Sequence, residues 1–512
     1  MQLDCGHDSS APVLAPKRTG GEVLIRVAIC KRVRTRCVFV GVTTNETARR
    51  TRMIVSRKDV TSATHAVPEV RFEEQELTSF GGLVMLQALF RETDLRSRLR
   101  SAVRHLPSNT GYCASRIVLL LIVHLFIGWR RLRDLDYYST DPLVKRVVGL
   151  DRMPNVSTLS RRLAEFDERS VDNLRGLLRE VVAERAIAAS PRRLTLDFDG
   201  SVISTKARGI EGTAVGYNAK SKGSRSYYPL FAVMAQTGQI FDVLHRAGNC
   251  HDSRDALDFI LACEQSLRSQ GFRGVFEVRL DGAHYSDATC VGLHDAGVEF
   301  SVSVPFERLP RLKGIIEDRV LWHRIDDEWS YFKWSWRPNA KSRGSFPCVI
   351  YRRRVAKPRK GPIQLDLFEP IERDYEYKVA MTNKRLSAPA LLRFHNGRGS
   401  QEATFGEGKS QLGLGYLPSR RQVGNQVYML CNLIAHALGR ELQMRAAPPR
   451  STNTATRACL WALERIGTLR NRLVQRAARI IHPQGRLVLS FANCPDVERD
   501  LLHFVQAAST AA

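Results

Sequence analysis

Asp199 and Asp281 each close a strand-like segment, and each is followed by glycine. LTLDFDGSVIS alternates from Leu194, which puts Thr195, Asp197 and Asp199 on one face and Leu194, Leu196 and Phe198 on the other; VFEVRLDG leads to Asp281 in the same way. A carboxylate at a strand end projects where the chain turns, so two such strands can bring two carboxylates together at one edge of a sheet. Converging carboxylates repel unless a cation offsets them. Hard oxygen ligands of this kind suit Mg²⁺, whose remaining positions go to water and phosphate oxygens. Asp-Gly is also ordinary turn chemistry, so a third acid is needed. Glu402 supplies one in RFHNGRGSQEATFGEGK, where Ser400 is placed to cap a helix whose first turn holds the acid. Arg398, four residues before, and Lys409, seven after, then lie close to one helical face with it. Gly406 and Gly408 each weaken a helix by about 1 kcal/mol, a cost explained where backbone must approach a ligand. Asp197 shares the face of Asp199 and is its rival; Glu407 is the rival of Glu402, on another helical face.

In these residues the chain resembles the RNase H-like transposases of bacterial insertion sequences. The order Asp199, Asp281, Glu402 is similar to their DDE catalytic triad. His395 to Lys409 is similar to their Tyr-x2-Arg-x3-Glu-x6-Lys signature: Arg398, Glu402 and Lys409 match at the family spacing, and His395 stands where the family has Tyr. GYNAKSKGSRSYYPL, from Gly216 to Leu230, resembles the segment that follows the first Asp in one branch. LRDLDYYSTDPLVKRVVG and PNVSTLSRRL resemble that branch's N-terminal helical region, and a β-rich insertion before the Glu is expected of it. The resemblance spans about residues 73 to 489.

It implies Asp199, Asp281 and Glu402 as catalytic residues and metal ligands, with two Mg²⁺ ions per site and Mn²⁺ able to substitute. The implied reaction is cleavage of insertion-sequence ends and strand transfer into target DNA. Arg398 and Lys409 are implied as DNA contacts, together with Tyr217, Lys220, Lys222, Arg225, Arg161 and Arg162. Trp329, Trp334 and Trp336 are candidates for stacking on a displaced base. The expected partner is double-stranded DNA held by a homodimer, with no organic cofactor and no membrane, in the cytoplasm at the bacterial nucleoid. Two alternatives stay open: a Mg²⁺-dependent DNA nuclease limited to hydrolysis, and an inactive transposase-derived DNA-binding protein, for which His395 is the hint.

Elements to position these groups follow from pattern. Residues 1–66 read as a basic extension in which valines could make a strand or two. Residues 67–190 carry helical periodicity and form the expected DNA-binding region, where Ser157 is the candidate cap of a basic helix. Residues 191–298 alternate strands with a helix and read as the first part of an RNase H-like mixed-sheet α/β core. Residues 299–386, with four tryptophans, read as a β-rich insertion. The core resumes with the Glu402 helix over 387–446, and 447–512 reads as a C-terminal helical region.

Composition agrees with a polyanion as partner. The 512 residues hold 78 Lys+Arg against 52 Asp+Glu, a formal net charge of +26, while 43% hydrophobic content is that of a globular chain rather than a disordered one. The longest apolar run, Ile117 to Ile127 with His124 inside it, is too short to span a bilayer and reads as a core helix. No basic-then-apolar leader is expected at the start of the sequence. Eleven cysteines without a CxxC pair suggest reduced thiols rather than a disulfide framework or a zinc site.

Overall fold

The computed structural model describes residues 36–39, 52–55, 73, 75–107, 111–189, 191–216, 218, 221–251, 254–339, 341–355, 375–450 and 457–510; Tyr217 and Lys220 lie outside them. The chain divides into two units, Met1–Glu74 and Gln75–Ala512. In the first, the valine-containing stretch forms β1 (Arg36–Phe39) and β2 (Arg52–Val55), an antiparallel pair with Arg36 opposite Val55.

The second unit opens with β3 (Leu77–Thr78) and six helices: α1 (Leu83–Glu92), α2 (Leu95–Ala102), α3 (Ala114–Phe126), α4 (Pro142–Val148), α5 (Val156–Ala164) and α6 (Glu168–Ala188). α3 is the apolar run, buried from Ile117 through Ile127. Each such aliphatic side chain gains about 1.5–3 kcal/mol by burial, so α3 is a core rod. Its one polar member within that stretch, His124, meets the Tyr138 hydroxyl through Nδ1 at 2.6 Å. No helix among the described residues is long and apolar enough to cross a membrane. α5 starts after Asn155, so Ser157 lies inside the first turn instead of capping it.

The main sheet contains β4 (Arg193–Gly200), β8 (Leu230–Met234), β9 (Gln239–Leu244), β10 (Val275–Leu280), β11 (Glu299–Ser303), β12 (His323–Arg324), β13 (Trp329–Trp336), β14 (Phe346–Arg354) and β15 (Tyr375–Thr382). Their order is β12-β13-β14-β15-β11-β10-β4-β8-β9. β4, β10 and β11 run parallel at its centre, with α7 (Ala256–Ser269) leading into β10 and α8 (Asp287–Asp295) crossing from β10 to β11. The hairpin β8–β9, turning at Gly238 with φ +61°, lies antiparallel to β4 on one side. The expected β-rich stretch does supply strands, and they extend the same sheet on the other side through β15. Between β4 and β8, the short strands β5 (Ile203–Thr205), β6 (Ala214–Val215) and β7 (Arg225–Tyr227) make a small sheet of their own.

After β11 come α9 (Pro310–Glu317) and, beyond β15, α10 (Ala388–Asn396), α11 (Ser400–Glu407) and α12 (Gln422–Ala446). α12 is buried on nearly every side from Gly424 to Met444, and several of its polar groups are matched: Asn425 to Ser419, the Asn432 amide N–H to the Leu412 carbonyl, Glu441 to Arg185. The C-terminal stretch departs from the helical expectation. Among the described residues the helical pieces are α13 (Ile466–Leu469), a wide turn at Arg470–Val474, a short 3-10 turn at Pro483–Gly485 and α14 (Pro495–Ser509); Ala478–Ile481 is β16, paired with β17 (Val488–Phe491) and β3. The β-branched pair Ile480-Ile481 and the available edge of β3 override the apolar period there.

Candidate active site

Register brings the two aspartates together. β4 and β10 are neighbours with Phe198 opposite Leu280, so the next residues, Asp199 and Asp281, emerge side by side at the strand ends, where neighbouring strands are about 4.8 Å apart. Arg398 meets both through one atom: its Nη2 lies 3.3 Å from Asp199 Oδ2 and 3.5 Å from Asp281 Oδ2. The two distances together bound the separation of those oxygens at 6.8 Å. All three side chains keep a fifth to a quarter of their surface exposed, at 22%, 27% and 23%, so the cluster opens to solvent.

The other oxygen of Asp281 is fixed by the Ala283 N–H at 3.1 Å and by His284 Nδ1 at 2.7 Å. Burial alone raises the Asp281 carboxyl, but the His284 hydrogen bond, the charges of His284 and Arg398 and the Ala283 N–H outweigh it and hold the group below the usual carboxylate range. Asp199 Oδ2 also accepts from Gln401 Nε2 at 2.9 Å.

Arg398 is delivered by α10. Phe394, at the end of this helix, gives its carbonyl to Arg279 Nη1 at 3.0 Å, and Arg279 in turn grips Asp197 through Nε at 2.5 Å and Nη2 at 2.7 Å. Asp197 and Arg279 are directly opposite in the β4–β10 register and wholly buried. The rival of Asp199 is thereby committed to an ion pair under the helix. His395 is buried between Ser301 Oγ at 2.9 Å and Ser303 Oγ at 2.8 Å on β11. Burial, with the charges of Lys378, Arg398 and Arg279, lowers its pKa to about 3, so it is neutral. Two hydroxyls thus hold this imidazole in place.

α11 starts after Gly399, so Ser400 lies within its first turn rather than before it. Gln401 points inward to Asp199, whereas Glu402, the next residue around the helix, is exposed. Among the described residues no three His, Cys, Asp or Glu side chains gather as a metal cluster. The structure therefore unites Asp199, Asp281 and Arg398 and leaves Glu402 on the adjoining turn. Glu407 is held elsewhere: it accepts from the Ile466 N–H at 2.5 Å, pairs with Arg440 and meets His436 Nε2 at 3.2 Å. It anchors α11 to α12 from the opposite side. Lys409, in the wide turn Gly408–Leu412, donates to the Val202 carbonyl at 3.1 Å, three residues past Asp199.

The remaining candidates divide. Lys222 is exposed beside Gly223, where φ is +76°. Arg225 bonds Thr213 Oγ1 at 3.0 Å, which fastens β7 to the segment before β6. Arg161 is exposed; Arg162 is bound to the Tyr112 carbonyl at 2.6 Å and to Glu165. Trp336 donates to Tyr285 Oη at 3.0 Å and Trp329 packs edge-on against Tyr351, whereas Trp334 is 43% exposed. Lys378 on β15, absent from the expectations, bonds Asn396, and its pKa is lowered by burial and by the charge of Arg398. Only its place opposite Tyr351 on β14, a long-range pairing, brings it there.

Two carboxylate oxygens turned toward one cationic nitrogen fit the donor chemistry of a divalent ion, since the guanidinium supplies positive charge where such an ion needs oxygen ligands. Over residues 60–509 the sequence matches the family described as transposase DDE domain group 1. The chain belongs to this family. DDE transposases act on DNA as nucleases and transesterases and generally use divalent metal ions, so the family's function is transposition. The match leaves out residues 1–59, most of the basic extension. No curated protein sequence matches the chain. A cryo-EM structure of the piggyBac transposase synaptic complex with hairpin DNA aligns with TM-score 0.38 and 10% identity, over 76% of this chain and 78% of that one.

Proposed function

We propose that the chain is the transposase of an insertion sequence, cleaving the element's ends and transferring the strands into target DNA at a site formed by Asp199, Asp281 and Glu402. The observation that carries this reading is the pair of aspartates side by side on neighbouring parallel strands, bridged by one arginine. The order β9-β8-β4-β10-β11, three antiparallel strands followed by two parallel ones, supports an RNase H-like core. The helices of residues 67–190 serve as the DNA-binding region in the same reading.

Asp199 and Asp281 would hold Mg²⁺, or Mn²⁺ in its place, with Glu402 completing the ligands once its exposed side chain swings in from the first turn of α11; such ions, when bound, activate water or a DNA 3′-hydroxyl and stabilise the leaving oxygen. His284 fixes one oxygen of Asp281 and leaves the other facing the site. Arg398 neutralises non-bridging phosphate oxygens, a role its planar fork suits better than an ammonium. Lys409 and Lys378 add charge on either side, and Arg279 holds the end of α10 so that Arg398 reaches the strand ends. Of the three tryptophans, Trp334 has the exposed ring that base stacking needs. Two copies acting on two ends, within the nucleoid, complete the reading.

The test is a strand-transfer assay with duplexes carrying the inverted repeats that flank the gene. Transposase activity requires joined products in Mg²⁺ and none in EDTA. Cleavage without joining would assign the nuclease alternative, and binding without either product the inactive one.

A further inference from the structure

We propose that the turn Gly128–Tyr138 is a second DNA contact, seating the sugar-phosphate backbone of the duplex that flanks the scissile bond; this rests on the DNA-cleaving reading above. The segment reads GWRRLRDLDYY. Leu132 and Leu135 are its buried anchors, while Arg130, Arg131 and Arg133 are exposed. Its fold withholds the nearest acid from those arginines. Asp134 Oδ2 accepts the backbone N–H groups of Arg130 at 3.3 Å and Arg131 at 2.9 Å, so this carboxylate shapes the turn. No salt bridge engages any of the three guanidinium groups among the described residues. Asp136 is the other acid of the turn and is exposed.

Aromatic surface stands beside the charge. Tyr137 is 73% exposed, and its ring lies against that of Trp129 with centroids 5.0 Å apart and planes 31° from parallel. Exposed aromatic rings interleaved with arginines are the chemistry that holds nucleic acid, through phosphate neutralisation and contact with sugar or base faces.

The turn is also fastened to the catalytic segment. The Tyr428 hydroxyl donates to the Arg130 carbonyl, and Tyr428 packs edge-on against Tyr416 at 5.6 Å. A Cβ placed on Gly413 would lie 3.0 Å from Arg130 Cβ, so the chain leaving the Lys409 turn runs in contact with Arg130. Lys409 itself reaches the carbonyl of Val202, just past Asp199. From Lys409 to Gly413 is about one helical turn, roughly 5–6 Å, well inside the roughly 34 Å of one turn of B-DNA. A duplex with its scissile phosphate at Asp199 and Asp281 and its backbone at Lys409 therefore continues past Arg130, Arg131 and Arg133.

The experiment measures affinity of the full chain for a mixed-sequence duplex of about 30 base pairs across a salt series, for wild type and for the combined variant R130A/R131A/R133A, with Y137A alone as a second variant. Melting temperature checks that each variant folds. Loss of three phosphate contacts should weaken binding at least tenfold and reduce the slope of log K against log salt by about 2.7. Y137A should weaken binding while leaving that slope unchanged. A folded triple variant with wild-type affinity and slope would overturn the surface and leave the catalytic reading intact. A wild-type chain that binds no duplex would overturn both.

Discussion

Arg398 touches both aspartates through a single nitrogen, within 3.3 and 3.5 Å. A guanidinium there relieves the repulsion between two carboxylates, and a divalent ion needs the same oxygens. Removing the charge should favour the ion by about tenfold or more, because a unit and a double charge about 4 Å apart repel by about 2 kcal/mol even at the dielectric of water. Arg398→Gln is accordingly expected to bind Mn²⁺ more tightly than wild type in the DNA-free protein, read from free Mn²⁺ by electron paramagnetic resonance. Equal or weaker binding would remove Arg398 from between the carboxylates. Asp199 and Asp281 were legible because each ends a strand and precedes glycine, both local facts. The competition between Asp197 and Asp199 was not, because it is decided by Arg279 on a neighbouring strand and by the Phe394 carbonyl above it, neither of which any local pattern reports.

α11 works from two sides. Gln401 and Glu402 face the strand ends and solvent, whereas Glu407 is buried against Arg440, His436 and the Ile466 N–H. Breaking a buried pair strands the partner charge and costs about 3–5 kcal/mol, while a substitution at an exposed helical position usually stays within about 0.5 kcal/mol. Glu407→Ala should therefore lower the melting temperature sharply, and Glu402→Gln should leave it near wild type. Comparable melting of the two variants would contradict this division of the helix. Sequence placed both acids on different faces but could not say which face was the core, since that depends on α12 and the segment before α13 packing behind. The same limit explains the C-terminal stretch: residues 458–481 have an apolar period that suggests a helix, yet strand pairing of Ala478–Ile481 with β17 and β3 wins. Long local patterns such as α3, α12 and the β8–β9 hairpin were legible because burial and turn chemistry act within each segment.

At the scale of the molecule, the chain combines a net charge of +26 with an acidic pair at the proposed site. That arrangement favours capture of a polyanion and makes its binding steeply salt-dependent. The core adds an acid limit. His124 and His395 are buried and held neutral chiefly by burial, with pKa values lowered to about 4 and about 3 from an ordinary 6.5. Each group takes up a proton more readily when unfolded, so its contribution to stability is complete above pH 6.5 and is lost as pH falls through that value toward its folded pKa. Between pH 6 and 4.5 each should contribute up to about 1.4 kcal/mol of lost stability per pH unit, read from urea unfolding. His124→Gln or His395→Gln, if folded, should flatten that dependence; a wild-type stability independent of pH over this range would show that neither histidine is held neutral.

The most direct measurement is Mg²⁺-dependent strand transfer of inverted-repeat DNA by wild type, Asp199→Asn, Asp281→Asn and Glu402→Gln, each first shown to fold and to bind the duplex. The expected result is joined product from wild type and a loss of at least a hundredfold in all three variants, with DNA binding retained. Joined product at wild-type rates from any one of them would contradict the assignment of that carboxylate to the site.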